Sequence, residues 1–296
     1  MSGLDADLAA HLATGVTTVC RCWSITRRDG AVMGFTDHDV ALCFGGVDFR
    51  ADTGLSALAV QQSTGLSVDN TEALGALSDA SIREDDIEAG RFDGAEVLAW
   101  LVNWHNVEER ALLFRGHIGE IRRAGGAFEA ELRGLADALN HPVGRVYQKS
   151  CGAVLGDAAC RFDLDTPGYS AETAVETVEQ RRIFRFDGVD GYEAGWFRFG
   201  TLTVLSGAAE GLSGIVKDDR FESGRRVVTL WHPLRARVAQ GDMLRLEAGC
   251  DKRAATCRFK FSNFVNFQGF PDLPSDDWTI TDPARTGKLD GGSRRA

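Results

Sequence analysis

Short segments rich in β-branched and aromatic residues, separated by glycines, recur along most of the chain. The sequence holds 34 glycines in 296 residues, about one and a half times the usual share of roughly 7%. Glycine suits the tight turns between strands. The pattern therefore predicts an all-β protein, built mainly from antiparallel barrel or sandwich domains with a few short helices. The strands are predicted at Val16–Thr26, Ala31–Phe35, Ala95–Asn103, Ala111–Ile121, Ala127–Leu132, Arg182–Phe186, Gly195–Leu205, Gly214–Lys217, Arg225–Leu230 and Met243–Leu246.

Helix signals are few and short. They lie at Asp5–Ala13, at Ile82–Ala89 and at Leu135–Asn140. The polar stretch Thr166–Glu179 contains a Pro-Gly turn and has the composition of a linker, although it could itself hold a strand. We therefore predict an N-terminal β-rich domain over residues 1–165, a C-terminal β domain over 166–275 and a polar tail over 276–296.

The chain is acidic, with 33 basic and 43 acidic side chains and a formal net charge of −10. Such a balance lacks the broad basic surface of a stand-alone nucleic-acid binder. The least polar long stretch, residues 199–216, contains Glu210 and four glycines, so no membrane anchor is predicted. No secretory signal is recognisable at the N-terminus. In a reducing cytoplasm, seven cysteines are expected to be buried residues or metal ligands rather than a disulfide framework.

Four of the cysteines form two pairs. Cys151 and Cys160 enclose eight residues, and Cys250 and Cys257 enclose six. Nearby positive charge stabilises thiolates, and both loops carry cations. These are Lys149 and Arg161 at the first loop, and Lys252, Arg253 and Arg258 at the second.

Spacing alone leaves three interpretations of these cysteines open. A zinc site usually has two to four residues between its cysteines, so the wider loops here weaken that interpretation. They suit a larger [4Fe–4S] cluster, which depends on an apolar shell. Phenylalanines after the second pair could form this shell: Phe259, Phe261, Phe264, Phe267 and Phe270. The third interpretation is four ordinary buried cysteines.

No catalytic residues are predicted. The sequence has no phosphate-binding loop, dinucleotide-binding motif or nucleophile elbow. Asp37-His38-Asp39 could suggest a general base, but a strand would turn the histidine away from both carboxylates. Strand alternation predicts that Cys20 and Cys22 are core residues, and Cys43 is predicted to be buried as well.

The segment that begins with the second cysteine pair resembles a known family. After Cys250 and Cys257 come Arg258-Phe259 and then Asn266-Phe267-Gln268-Gly269-Phe270-Pro271. This motif is similar to the C-terminal signature of the baseplate hub proteins of gene transfer agents and siphophage-like tails. The minor tail protein L of lambda-like phages is a more distant relative. Further similar segments are Phe35–Asp39, Asp86–Ala95, the loop from Cys151 to Cys160, Gly195–Gly200 and Leu230-Trp231.

The resemblance implies a non-enzymatic structural protein at the tail tip of a virion or gene transfer agent particle. It implies a [4Fe–4S] cluster held by Cys151, Cys160, Cys250 and Cys257, with zinc as the alternative metal. It also implies a homotrimer that joins the distal tail ring to the central receptor-binding or cell-puncturing protein. The tape measure protein and a cell-wall peptidase are further candidate partners. DNA would pass through the channel without specific binding.

Three alternatives to this role remain, two of them enzymatic or redox and one structural. An iron–sulfur oxidoreductase needs a redox partner or second cofactor, and the sequence shows no flavin or nicotinamide motif. A cysteine hydrolase needs a cysteine next to a histidine, and no such arrangement is recognisable. A zinc-stapled β protein would keep the same architecture with a different metal.

Overall fold

The computed structural model describes residues 5–51, 70–71, 83–124, 127–134, 144 and 146–273. The chain packs as two compact units. The first comprises residues 1–143 and 234–237, and the second comprises residues 144–233 and 238–296. These units describe which residues pack together, not which segments fold on their own. The domain boundary at residue 166 therefore stays a prediction.

The first unit contains two short helices, α1 (Ala6–Ala13) and α2 (Glu84–Glu88). Its eight strands form one sheet in the order β3-β4-β2-β1-β6-β7-β8-β5. All the paired strands of this sheet are antiparallel except β2 and β4, which are parallel. The strands are β1 (Val19–Thr26), β2 (Val32–Thr36), β3 (Leu42–Phe44), β4 (Val47–Arg50), β5 (Asn70–Thr71), β6 (Glu96–Asn103), β7 (Arg110–Ala124) and β8 (Ala127–Gly134).

The central pair of this sheet, β1 and β6, is in register from Val19 opposite Asn103 to Thr26 opposite Glu96. Side chains of this sheet fill two apolar clusters. One cluster includes Trp23 of β1 and Phe35 of β2, and the other includes Cys22 of β1 and Phe49 of β4. Burial of such apolar surface is the main favourable term in folding.

The second unit contains a seven-stranded sheet in the order β10-β11-β14-β13-β12-β15-β9, with every pair antiparallel. A bulge between Val216 and Asp218 interrupts the pairing of β13 with β14. After β15 come helix α3 (Ala254–Phe259) and a short 3-10 helix (Phe264–Asn266). The strands are β9 (Ser170–Ala174), β10 (Thr177–Glu179), β11 (Ile183–Phe186), β12 (Thr201–Val204), β13 (Ser213–Glu222), β14 (Arg225–Leu230) and β15 (Met243–Glu247).

A buried ion pair lies within this second sheet. Arg226 on β14 and Asp219 on β13 both have fully buried side chains, and Arg226 Nη1 donates to both Asp219 carboxylate oxygens at 2.7 and 2.8 Å. The guanidinium also donates to the backbone oxygens of Val189, Tyr192 and Glu193. These bonds tie the loop before β12 to the sheet.

The structure confirms the all-β class with few short helices. The predicted linker at 166–179 contains two strands, β9 and β10. The strand predicted at Gly195–Leu205 begins only at Thr201, because residues 195–200 form turns around Arg226 and Asp219. The helix predicted at Leu135–Asn140 and the tail at 276–296 lie outside the described residues. Among the helices that the structure describes, none has the length and apolar character needed to cross a membrane.

Candidate metal centre

The first cysteine pair lies in a loop organised by Asp157. Its carboxylate accepts hydrogen bonds from the backbone N–H groups of Val154, Ala159 and Cys160, at 2.8, 2.9 and 2.6 Å. These bonds hold the pKa of Asp157 below its ordinary value, with the Cys160 N–H making the largest contribution. The loop is therefore closed by a local carboxylate that holds the backbone at Cys160.

The second pair follows β15 directly. Cys250 comes three residues after the strand ends, and Cys257 lies on α3 with its side chain buried. Between them, Lys252 adopts a left-handed backbone conformation with φ of 66°. This turn redirects the chain from the end of β15 into α3.

The two loops are joined by backbone and side-chain hydrogen bonds. The backbone N–H of Cys151 donates to the carbonyl oxygen of Lys252 at 2.8 Å. In return, Lys252 Nζ donates to the carbonyl oxygen of Ala153 at 2.6 Å. Two loops about a hundred residues apart in sequence therefore lie against each other within the second unit.

Burial is the main reason why the pKa of Cys257 is raised to about 11, and the neighbouring Cys250, Cys151 and Cys160 contribute to the same shift. Burial also raises the pKa of Cys250, with Cys151 as one of the neighbouring charges. The structure thus places the two cysteine loops next to each other.

The segment after α3 reaches back to the first loop. Asn263 Nδ2 lies 2.7 Å from the carbonyl oxygen of Cys160 and 3.5 Å from its sulfur. The backbone N–H of Gln268 donates to the Cys151 sulfur at 3.4 Å. Phe270 N–H donates to the carbonyl oxygen of Gln148 at 2.8 Å. This segment therefore covers the 148–160 region from one side.

Burial affects the pKa of the Cys250 thiol more than the nearby cation does. Lys252 acts to lower the pKa of Cys250, yet the net shift is upward because desolvation is the larger effect. Lys260, which the sequence analysis did not single out, is half-buried and donates to the carbonyl oxygens of Trp196 and Gly249 at 2.5 and 2.9 Å. Burial lowers the pKa of Lys260 to about 8.

The predicted phenylalanine shell forms only in part. Phe261 is buried and packs edge-on against Phe162 at 4.9 Å between ring centroids. Phe264 and Phe267 stack on each other at 5.5 Å. Phe259, by contrast, is 79% exposed, so the prediction that it forms part of the shell is wrong. It lies two residues after Cys257 on α3, and this spacing puts it on the opposite face of the helix.

The fit of these residues to a metal depends on their donor atoms. Among the residues that the structure describes, no group of three or more His, Cys, Asp or Glu side chains is placed to hold a metal ion. The four cysteines nevertheless provide the donor set that iron–sulfur clusters use. Asn263 and Gln268 supply N–H donors to two of the sulfurs. A bound cation would deprotonate these thiols, because a coordinating thiol loses its proton.

The remaining cysteines belong to the first unit. Cys20 and Cys22 are buried in the core, as predicted. Cys43 is exposed, which contradicts its predicted burial. Strand alternation on β3 turns Phe44 into the core and Cys43 outward.

The Asp37-His38-Asp39 stretch makes local structural contacts. Asp37 Oδ1 accepts a hydrogen bond from the backbone N–H of Arg21 at 2.6 Å, and His38 Nδ1 accepts one from that of Val40 at 2.9 Å. Sequence reasoning gave no role to Asp157 or Asn263. An aspartate that accepts a hydrogen bond from the backbone N–H two residues later, as Asp157 does from Ala159, forms an Asx-turn, so Asp157 carried a usable signal.

Comparisons with known proteins agree on the nature of this chain. Residues 5–163 match the family model "Baseplate hub protein, N-terminal attachment domain". Residues 195–277, which include Cys250 and Cys257, match the phage conserved hypothetical protein BR0599 family. No curated protein gives a match.

A solved structure gives the broadest likeness. It comes from the virion of a native gene transfer agent particle, shares 53% sequence identity, and superposes with a TM-score of 0.90. The match covers 98% of this chain and 99% of that chain. The chain is therefore a non-enzymatic structural component of a phage or gene transfer agent tail, and it belongs to the baseplate hub protein family.

Proposed function

We propose that this hub protein joins the distal tail ring to the central receptor-binding or cell-puncturing protein, around the channel through which DNA leaves. Three copies would form the ring, with the tape measure protein and a cell-wall peptidase as neighbours. The likeness over almost the whole length to a chain of a gene transfer agent virion supports this role. The net charge of −10 suits a channel wall that repels DNA.

The proposal includes a [4Fe–4S] cluster held by Cys151, Cys160, Cys250 and Cys257. This part is supported by the contact between the two cysteine loops, in which the Cys151 N–H donates to the Lys252 carbonyl oxygen at 2.8 Å and Asn263 Nδ2 donates to the Cys160 carbonyl oxygen at 2.7 Å. The two pairs enclose eight and six residues, which is wider than the usual spacing in zinc sites and suits a larger cluster better than zinc.

The cluster would act as a structural staple. Each loop contributes two of the cysteines, so a cluster would link the C-terminal segment to the 150–160 loop in addition to the hydrogen bonds that join them. Because free energy of metal binding becomes free energy of folding in such a site, the cluster would fix α3 against the first loop.

Metal analysis tests the cluster directly. The protein is purified anaerobically from a cytoplasmic host, and iron, acid-labile sulfide and zinc are quantified per chain with the visible spectrum. We expect about four iron and four sulfide ions with a brown charge-transfer band. A content of one zinc ion per chain would overturn the cluster and show that zinc links the two loops instead. A chain without metal would contradict both versions.

Variants connect the metal to the particle. Cys250→Ser should lose iron and abolish gene transfer or infectivity, because it removes one of the four proposed ligands. Cys43→Ser is the matched control, since Cys43 is exposed and lies in the other unit. A fully active particle that carries Cys250→Ser would show that the cluster is dispensable.

Imaging tests the assembly part independently of the metal. Cryo-electron microscopy of the intact particle should find three copies at the tail tip, between the distal ring and the central protein. A different copy number would overturn the trimer. A basic channel surface beside these copies would overturn the proposed role of the acidic charge.

A further inference from the structure

The side chain of Asn263 makes two contacts with one cysteine. Its Nδ2 atom lies 2.7 Å from the carbonyl oxygen of Cys160 and 3.5 Å from the Cys160 sulfur. A carboxamide nitrogen carries two N–H groups, so one can serve the oxygen and the other the sulfur. Both contacts are at least partly buried, which strengthens them relative to contacts in water.

The orientation of this carboxamide is determined by its neighbours. The carbonyl oxygen of Cys160 can only accept, so the nitrogen must face it. The other end of the carboxamide, Asn263 Oδ1, accepts a hydrogen bond from Asn266 Nδ2 at 2.7 Å. A flipped carboxamide would lose both interactions, because oxygen would face oxygen and nitrogen would face nitrogen.

Asn263 also bridges the two cysteine pairs. Its backbone N–H donates to the carbonyl oxygen of Cys257 at 2.9 Å, while its side chain serves Cys160. Five residues later the backbone N–H of Gln268 donates to the Cys151 sulfur at 3.4 Å. One short segment therefore supplies N–H donors to both sulfurs of the first loop.

We propose that Asn263 is a positioning residue that holds Cys160 as a thiolate ligand and raises the reduction potential of the cluster. This inference rests on the proposed cluster. Hydrogen bonds to the ligand sulfurs are one of the factors that set iron–sulfur potentials. An N–H donor stabilises negative charge on sulfur, and the reduced state carries more of that charge. Removal of the donor should therefore make reduction harder.

The test compares the midpoint potentials of the wild type, Asn263→Ala and Asn266→Ala by redox titration of the purified holoprotein. Asn263→Ala removes the Nδ2 donor to the Cys160 sulfur. Asn266→Ala keeps that donor but removes the hydrogen bond that fixes the orientation of the Asn263 carboxamide. Asn106→Ala is the control, because Asn106 lies in the first unit and its amide donates to Glu109 instead. The rate of iron loss to a chelator is measured on the same samples.

For Asn263→Ala we expect the equilibrium constant for one-electron reduction to fall about tenfold, which is a potential lower by about 59 mV. Iron loss should accelerate several-fold. Asn266→Ala should change the potential and the rate of iron loss in the same direction but by less. Asn106→Ala should change neither quantity. If Asn263→Ala does not fold, Asn266→Ala decides the question.

The outcomes separate this inference from the proposed cluster. A wild type that contains iron and sulfide, with unchanged potentials in both variants, overturns the role of Asn263 and leaves the cluster intact. A wild type without iron overturns the cluster, and the role of Asn263 falls with it. Faster iron loss at an unchanged potential shows a purely structural contact and overturns the electronic part.

Discussion

Gly269 lies directly against the backbone of Ser150. A Cβ atom built on residue 269 would lie 2.6 Å from the carbonyl oxygen of Ser150 and 2.7 Å from the Phe267 ring. Real Cβ atoms essentially never approach other atoms so closely. The glycine in Asn266-Phe267-Gln268-Gly269-Phe270-Pro271 is therefore required by close packing between the C-terminal segment and the first cysteine loop.

We expect Gly269→Ala to destabilise the protein by about 1–3 kcal/mol, the usual cost of overpacking. Thermal denaturation would measure the loss. Gly152→Ala is the matched control next to Cys151, because its Cβ would meet nothing closer than 4.0 Å. Equal stability of the two variants would refute the packing role of Gly269.

Arg226 and Asp219 should behave as a unit. Removal of one partner leaves a buried charge unpaired, so Arg226→Ala and Asp219→Ala should each cost about 3–5 kcal/mol. The double variant should cost less than the sum of the two, because no unpaired charge remains. Denaturant unfolding of all four proteins gives the coupling energy.

Arg220→Ala is the control for this double-mutant cycle of Arg226 and Asp219. Arg220 pairs with Asp218 and Glu222 on the same strand, but its side chain is 44% exposed. An exposed pair contributes only about 0–1 kcal/mol. Strict additivity in the Arg226 and Asp219 cycle would contradict the coupling.

Asp157 should contribute to stability only while it is ionised. Its pKa is lower in the folded protein than its ordinary value, because backbone N–H groups, that of Cys160 first, donate to the carboxylate. The contribution is therefore present above the unfolded-state pKa and is lost as the pH falls through the folded-state pKa. Asp157→Ala should melt below the wild type near neutral pH, and the difference should shrink in acid. A difference independent of pH would argue against the carboxylate.

Lys260 should also make stability rise with pH, but in the alkaline range and because burial disfavours its charged form. Burial lowers its pKa from 10.5 to about 8, so between these values the unfolded chain binds more protons than the folded chain. The free energy of unfolding should therefore rise with pH across this window. Melting of the wild type and Lys260→Met at about pH 7 and about pH 10 tests this expectation. The wild type should gain relative to the variant at the higher pH, and parallel changes would contradict the assignment.

Local patterns predicted much of the fold. Arg225–Leu230 forms a strand with the predicted bounds, and β15 begins at the predicted Met243. Alternation and turn residues carry this information, because they act between close neighbours in the chain. The same patterns did not reveal β9 and β10. These are the two edge strands of their sheet, and their polar composition resembles that of a linker.

The four cysteines were predictable as a group, but their surroundings were not. Sequence spacing identified both pairs, and the motif after Cys257 indicated the family. Nothing local indicated that Asn263 would face Cys160, or that burial would outweigh the charge of Lys252 at Cys250. These features depend on residues about a hundred positions away.

By itself, the sequence determined the all-β class, the two cysteine pairs and the membership of the baseplate hub family. Periodicity, turn residues and motif spacing are all properties of short segments. Only the tertiary structure decided that Arg226 is fully buried, that Phe259 and Cys43 face solvent, and that Gly269 packs on Ser150. Burial, desolvation and close approach are determined by which distant segments pack together, so no local pattern contains them.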